Sequence, residues 1–390
     1  MKVLLTGGGS GGHITPVLAV AHELKRIQPD VDLIYAIGKG DKLAHLPKEH
    51  PDITKVCAVR SGKFRRYHGA GWKQLLDVKT LLKNIRDFFY VAIGIVQALL
   101  LLRKEKPDII FIKGGFVAVP IGLAAAVLKI PYITHDSDVV PGLANRIIAR
   151  WAQMHTVAMP VENYTYEKAK MQRVGVPISK NYSKVSRTDQ KKFMRDIGIT
   201  ESDAQVALVT GGGLGAERLN VAITRIAKAL LTKNPSLFLV HITGPNKETA
   251  IRNEYDKRLN PIDKNRIILK SFSDDLYKYS GAADVIIARA GANSLAEFAA
   301  QQKACIIIPN PELTGGHQLK NAASLASMGA IMQLEDAALQ KNPELLLRDI
   351  EFLLHSVKER AKIATQLYKL ADNESAAKLA KLLLNTVKRD

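Results

Sequence analysis

The sequence predicts an α/β protein of two Rossmann-like domains facing one another across a cleft. Three observations carry this. Strand and helix patterns alternate almost throughout, as parallel sheets require. Each half of the chain opens on the same unit, a short apolar strand, a glycine loop and a helix. At 390 residues the chain is long enough for two complete cores. The domains are expected over 1–176 and 177–372, with a terminal helix over 373–390 packing back on the first domain.

In the first half, strands are expected near 2–6, 31–37, 53–59, 108–112, 131–134 and 154–157. Helices are expected near 15–28, 74–84, 87–105, 117–129 and 142–151. The first helix carries apolar residues at helical spacing (Val17, Leu18, Val20, Ala21, Leu24), and Pro16 sits in its first turn, where a missing N–H costs nothing. Val174 to Pro177 reads as a crossing-over segment and Ser179 to Gln190 as a polar surface connection. The second half restarts with a strand over 206–210, a glycine loop and a helix over 216–232. Strands follow near 237–242, 266–269, 284–288, 304–308 and 329–333. Ser375 to Val387 is an amphipathic helix.

The 47% hydrophobic and 24% charged fractions are those of an ordinary globular protein. The chain opens on a strand, with no signal peptide before it. Cys57 and Cys305 lie in apolar runs and read as buried thiols of a reducing compartment, with no metal-ligand spacing. A net charge of +19 implies an anionic partner. Low aromatic content and the lack of any RNA-binding or zinc-finger signature argue against nucleic acid.

The basic charge is concentrated over 60–104, which holds ten Lys and Arg against Asp77 and Asp87, interleaved with Phe64, Tyr67, Trp72, Phe88 and Phe89. Phe88 to Leu102 is apolar except for Gln97, shorter than the ~20 residues a spanning helix needs, so it reads as a buried or interfacial helix.

Four stretches carry candidate chemistry. Gly7 to Gly12 joins a strand to a helix, where backbone N–H groups and the helix dipole favour an anion. His13, at the helix mouth, is not needed by a phosphate cradle and invites a chemical role. Lys113-Gly114-Gly115-Phe116 repeats the geometry in the same predicted sheet; two such sites can hold a pyrophosphate, or the glycines can serve close strand–helix packing. His135, Asp136 and Asp138 end a strand, where they can bind substrate hydroxyls, orient a base or cap the next helix. In the second half, Gly211 to Gly215 forms another loop. Arg289 to Glu297 follows, in which Asn293 or Ser294 can cap a helix and Glu297 can pair with the cap or hold ribose hydroxyls. Gln318 and Asn321 share a helix face and can bind a sugar. No loop is followed by the Gly-Lys-Ser/Thr of a P-loop, and no acid ends the next strand as a dinucleotide site needs.

Together these residues resemble the MurG family of UDP-N-acetylglucosamine-dependent transferases of peptidoglycan synthesis, over nearly the whole chain. Gly7 to Pro16 resembles the family's first loop with its histidine. Gly114-Gly115-Phe116 matches a second loop, usually Gly-Gly-Tyr, and Gly212 to Ala216 a third, usually Gly-Gly-Ser-Gln-Gly-Ala. Arg289 to Glu297, with Gln318 and Asn321, matches the donor-sugar signature. His135-Asp136-Ser137-Asp138 stands where the family usually has His-Glu-Gln-Asn, and Gly213 replaces a serine.

The resemblance implies a GT-B glycosyltransferase that inverts the sugar's configuration and needs no metal or cofactor. It implies that UDP-GlcNAc binds the second domain, on Gly212, Gly213 and Gly215 for phosphate, Ser273 near uracil, Arg289, Ala292 and Ser294 around the nucleotide, Glu297 on ribose, and Gln318 with Asn321 on the sugar. An undecaprenyl-pyrophosphate-linked acceptor is implied on Gly8, Gly9, Ser10, Gly11, Gly12, Gly114 and Gly115, beside His135, Asp136 and Asp138. His13 is the implied base, and 60–104 the contact with an anionic membrane surface at the cytoplasmic face. A transferase acting on another lipid, such as diacylglycerol, and a non-catalytic nucleotide-sugar binder are the alternatives.

Overall fold

The computed structural model describes residues 1–62, 78–213, 215–312 and 316–387. Lys63, Phe64, Arg65, Arg66, Tyr67, Trp72, Lys73 and Asp77 of the basic stretch lie outside the described residues, as do Leu214 and Gly315. The chain forms two compact units. One comprises Met1–Lys180, Glu312–His317 and Asp372–Asp390, the other Asn181–Pro311 and Gln318–Ala371.

The first unit is built on strands β1 (Lys2–Thr6), β2 (Asp32–Gly38), β3 (Lys55–Val59), β4 (Ile109–Ile112), β5 (Tyr132–Asp136), β6 (Met154–Val157) and β7 (Met171–Arg173). They pair in parallel in the order β3-β2-β1-β4-β5-β6-β7. Helices α1 (Gly11–Ile27), α2 (His45–Glu49), α3 (Val78–Glu105), α4 (Ala118–Leu128) and α5 (Leu143–Ile148) connect them. Because helices cover both faces, the central strands are apolar throughout rather than alternating, as in Val3-Leu4-Leu5 and Ile109 to Ile112. The last strand, β7, sits just before the segment read as a crossover and has no apolar pattern of its own; it was not expected.

Two helices expected at 74–84 and 87–105 are one continuous helix, α3, since nothing between Asn84 and Asp87 breaks it. From Asn84 to Glu105 it is, by length and composition alone, long and apolar enough to cross a membrane. One face, with Asp87, Val91, Ala98 and Leu102, is buried, and the last two of these residues join the core that α4 completes. The opposite face is apolar and open to solvent: Phe88, Phe89 and Leu100 are each 61% exposed, and Ile85, Ile93 and Val96 are exposed with them. The Arg86 guanidinium lies over the Tyr90 ring, 5.4 Å from its centre.

The second unit repeats the plan with β8 (Gln205–Thr210), β9 (Leu237–Ile242), β10 (Ile267–Lys270), β11 (Val285–Ala288), β12 (Ala304–Ile307) and β13 (Met332–Gln333), in the order β10-β9-β8-β11-β12-β13. Its helices are α6 (Arg187–Asp196), α7 (Glu217–Lys233), α8 (Glu248–Arg258), α9 (Pro261–Lys264), α10 (Leu276–Ala282), α11 (Ala292–Ala300), α12 (His317–Ser327), α13 (Asp336–Lys341), α14 (Glu344–His355) and α15 (Val357–Tyr368). The stretch read as a polar connection thus begins a helix. Ser186 and Asp189 form a reciprocal capping box at its start, a Ser-x-x-Asp signal passed over in a charged segment.

The final helix, α16 (Ser375–Val387), belongs to the first unit. Leu379, Ala380, Leu383 and Leu384 pack into the same core as Val17, Val20 and Leu24 of α1. Of the two cysteines, Cys305 is buried as expected and Cys57 is only half-buried.

Candidate functional site

Both sheets reverse their strand order at one point, β1/β4 in the first unit and β8/β11 in the second. Loops leaving the carboxyl ends of strands at such a point diverge and leave a crevice, where open α/β sheets take ligands. The glycine loops occupy these two positions.

In the first unit, the loop after β1 meets the loop after β4. Gly115 has φ +81°, and a Cβ there would collide with the carbonyl of Gly8, so glycine alone allows the two loops to touch. The Phe116 ring packs over Gly9 and Gly38. The Gly9 N–H donates to Asp41 Oδ2 at 2.7 Å, so one of the loop's donors is already used and a carboxylate stands beside it. Helix α1 begins at Gly11, with Ser10 at its N-cap position, four residues earlier than expected.

His13 lies in that first turn, half-buried, with Nδ1 2.9 Å from Ser10 Oγ. Burial, and secondarily the charge of Lys113, push its imidazole down to about 4, while Asp138 opposes the shift. His13 is therefore neutral at pH 7. For Nε2 to take up a proton, Nδ1–H must be the donor to Ser10 Oγ, which gives Ser10 an orienting role.

His135 and Asp136 are turned into the fold. His135 is fully buried between Thr156 Oγ1 at 3.1 Å and Ser137 Oγ at 3.2 Å. Asp136 Oδ1 accepts from Gly142 N–H at 2.9 Å and Oδ2 from the Tyr166 hydroxyl at 2.8 Å. Asp136 thus braces the residue that caps α5 instead of capping a helix itself. Asp138 is partly exposed, and its carbonyl accepts from the Tyr164 hydroxyl. Asn145 escaped sequence reading: its Nδ2 donates to the His135 carbonyl, and its buried Oδ1 has no hydrogen-bond partner among the described residues and faces Gly114. The only signal was an asparagine three residues after a glycine helix start.

In the second unit, the loop after β8 turns tightly, with Gly215 N–H bonded to the Gly212 carbonyl at 2.9 Å and Gly212 N–H to Thr210 Oγ1 at 3.2 Å. Gly215 has φ +70° and lies against the Thr243 carbonyl, too close for any Cβ. Beneath the loop runs a buried network absent from the expectations. Asn220 of α7 donates to the Thr243 carbonyl and pairs with His241 Nε2, whose Nδ1 meets the Tyr255 hydroxyl at 2.8 Å. It ties the start of α7 to the end of β9.

The loop after β11 holds Arg289, whose guanidinium donates to the Ile308 carbonyl at 3.0 Å and to Asp336 Oδ1 at 2.6 Å. Asp336 Oδ2 also takes Arg218 at 2.8 Å. Arg289 is thus a brace between loops. Helix α11 starts with Gly291 at the cap and no side-chain cap, so neither Asn293 nor Ser294 caps it and the capping pair with Glu297 is not formed. Ala292 is buried in the first turn. Glu297 is itself buried, with the Tyr182 hydroxyl as hydrogen-bond partner, and burial pushes its carboxyl up to about 8. Gln318 Oε1 accepts from Asn310 N–H at 2.9 Å, and Asn321 Nδ2 donates to the Ala290 carbonyl at 3.2 Å. Ser273 accepts from Asp275 N–H just before α10.

The models of the glycosyltransferase family 28 N-terminal and C-terminal domains match residues 3–157 and 206–383. A UDP-N-acetylglucosamine–N-acetylmuramyl-(pentapeptide) pyrophosphoryl-undecaprenol N-acetylglucosamine transferase from Clostridium perfringens is 32% identical over 353 residues, 90% of each chain. The protein of that name from Natranaerobius thermophilus is 30% identical over 357 residues, 91% of each chain. The crystal structure of Acinetobacter baumannii MurG superposes with a TM-score of 0.68 at 24% identity, covering 98% of this chain and 99% of the other. With both family 28 domains matched and this identity along nine-tenths of its length, the chain belongs to the MurG family of N-acetylglucosamine transferases within glycosyltransferase family 28.

Proposed function

We propose that this chain transfers GlcNAc from UDP-GlcNAc to undecaprenyl-pyrophosphoryl-MurNAc-pentapeptide, the reaction its relatives are named for. The observation that carries the reading is the pair of glycine loops at the two switch points, one with a neutral histidine at the helix mouth and one with a buried carboxyl on α11, the helix that follows the neighbouring switch-point strand β11.

In the step itself, the acceptor's 4-hydroxyl oxygen attacks C1 of GlcNAc. Its proton passes to His13 Nε2. The C1–oxygen bond to the diphosphate breaks, UDP leaves with the electron pair, and the configuration at C1 inverts. Gly212, Gly213 and Gly215 line the diphosphate at the mouth of α7; the Gly212 and Gly215 N–H groups are bonded within the loop, so the Gly213 N–H and the helix dipole take the charge that develops on UDP. Glu297 accepts from the ribose hydroxyls. The amide nitrogen of Gln318 is the end that can donate to the sugar, since its oxygen is bonded to Asn310. Asn321, Ala292, Ser294 and Ser273 shape the nucleotide-sugar pocket, and Arg289 holds its loops.

The acceptor's diphosphate rests on Gly8 to Gly12 and Gly114-Gly115, so the first unit serves the acceptor and the second the donor. The exposed apolar face of α3, beside Arg60, Arg86, Arg103 and Lys104, sets the protein on an anionic membrane at its cytoplasmic face, where each basic residue contributes ~1 kcal/mol. Incubation with UDP-GlcNAc and the lipid-linked acceptor yields the disaccharide lipid and UDP. No product beside an active control enzyme overturns the reading, and a parallel screen with diacylglycerol tests the other acceptor class.

A further inference from the structure

Lys113 is only 5% exposed, and among the described residues its ammonium makes neither a hydrogen bond nor an ion pair, although the charges of Asp136 and Asp138 act on it from beyond contact distance. A buried charge without a hydrogen-bonded counterion is costly. Its direction follows from the strand. The Lys113 N–H continues the ladder to the Thr6 carbonyl at 2.9 Å, so the side chain shares the face of Ile109 and Phe111. That face packs against Ile14 and Val17 of α1. One step further on lies the first turn of α1, where the residue after Lys113, Gly114, borders the His13 ring.

The loops there are poorly equipped to hold a multiply charged anion by themselves. The Gly9 N–H is committed to Asp41, whose carboxylate stands against Gly8 as well. Backbone dipoles supply fractional charges, and a full negative charge sits among them. The ammonium of Lys113 is the compensating group in reach.

We propose that Lys113 is the cation that binds the diphosphate of the acceptor between the loops Gly7–Gly12 and Lys113–Phe116. This rests on the reading that the first unit takes the lipid-linked acceptor. It also gives the site a coupling. The groups facing His13 are Ser10, Lys113 and Asp138, with Asp136 behind Lys113 and Asp41 across the glycine loop. Until an anion binds, the field of the ammonium suppresses proton uptake by His13. A diphosphate cancels that field, so the imidazole gains basicity as the acceptor binds.

Steady-state kinetics of the full chain, Lys113→Met and Lys113→Arg test this. In K113M the acceptor KM rises at least tenfold while the UDP-GlcNAc KM stays within twofold, and K113R recovers most of the loss. Inorganic pyrophosphate competes with the acceptor in the wild type, and its inhibition constant rises at least tenfold in K113M, whereas inhibition by UDP is unchanged. The acidic limb of kcat/KM for the acceptor moves to higher pH in K113M, because His13 without its cationic neighbour protonates more easily. An unchanged acceptor KM, or equal loss in both variants with an unmoved pH limb, overturns the proposal. If K113M does not fold, the wild type decides by NMR: pyrophosphate raises the pH at which the His13 ring titrates, and no shift refutes the role. If the wild type makes no product yet pyrophosphate shifts His13, the acceptor reading fails and the anion site stands.

Discussion

The two units set their glycine loops at the same topological position and arm them in opposite ways. In the first, the cation is buried with no carboxylate in contact among the described residues, the titratable histidine is half-buried, and the carboxylates Asp41, Asp136 and Asp138 surround the loops. In the second, the cation Arg289 is locked to Asp336 and a carbonyl, and the carboxyl of Glu297 holds its proton near neutrality. On the proposed reading, one sheet order serves an anion receptor with a base in one place and a hydroxyl-recognising pocket in the other. On that reading topology locates the ligand, and the pairing of charges decides which ligand it is.

The sharpest way to break this contrast is at His13. His13→Ala is expected to lower kcat by about 10²–10⁴-fold, the range for loss of a general base, while UDP-GlcNAc affinity changes less than about twofold. Equal loss of both in kinetics and calorimetry removes the division of labour. Next is Glu297→Gln, for which donor affinity falls about tenfold with the acceptor KM unchanged, as expected for a charge-assisted hydrogen-bond pair replaced by a neutral one. Donor binding to the wild type releases a proton below about pH 8, because ribose hydroxyls favour the ionised carboxyl. Calorimetry in buffers of different ionisation heat detects this release, and E297Q lacks it.

The same carboxyl makes a stability prediction. Glu297 ionises near 8 in the fold and near 4.5 when unfolded, so between these values the native state holds a proton that the unfolded chain has lost. Stability from this group therefore falls as pH rises through that window. E297Q should gain in Tm relative to wild type from pH 5 to pH 8, by a few degrees at the upper end. A constant difference across the window contradicts it. The smallest effect concerns Ser10→Ala, which frees the ring without removing it. A loss in kcat of about three- to tenfold is expected, with both KM values unchanged, since only the imidazole's tautomer and aim are affected.

Much of the fold was legible because strand–loop–helix units repeat locally, with glycine where loops touch and apolar runs where sheets are covered. The site's backbone was legible for the same reason. What escaped was pairing across distance. Nothing in the local pattern says that Glu297 meets Tyr182, 115 positions away in the chain, or that Asn220, His241 and Tyr255 join under a loop. Arg289 carries a charge suited to a nucleotide, and only its partner Asp336 on α13 reveals a brace. Asp136 likewise looked free to bind hydroxyls until Tyr166 and Gly142 took both its oxygens. The merging of two expected helices into α3 shows the opposite limit: a change in composition does not end a helix without a residue that breaks it.

The helix α16 bears on how the molecule is made. The first sheet is encoded before Lys180, but the helix that completes the core against α1 begins about 200 residues further on. At roughly 5–20 residues per second of synthesis, the complete first sheet waits about 10–40 seconds for α16, and until then Val17, Val20 and Leu24 of α1 lack that partner. The half that emerges from the ribosome first is therefore the half that closes last, and during translation it stands exposed to chaperones and to its own neighbours on the same messenger.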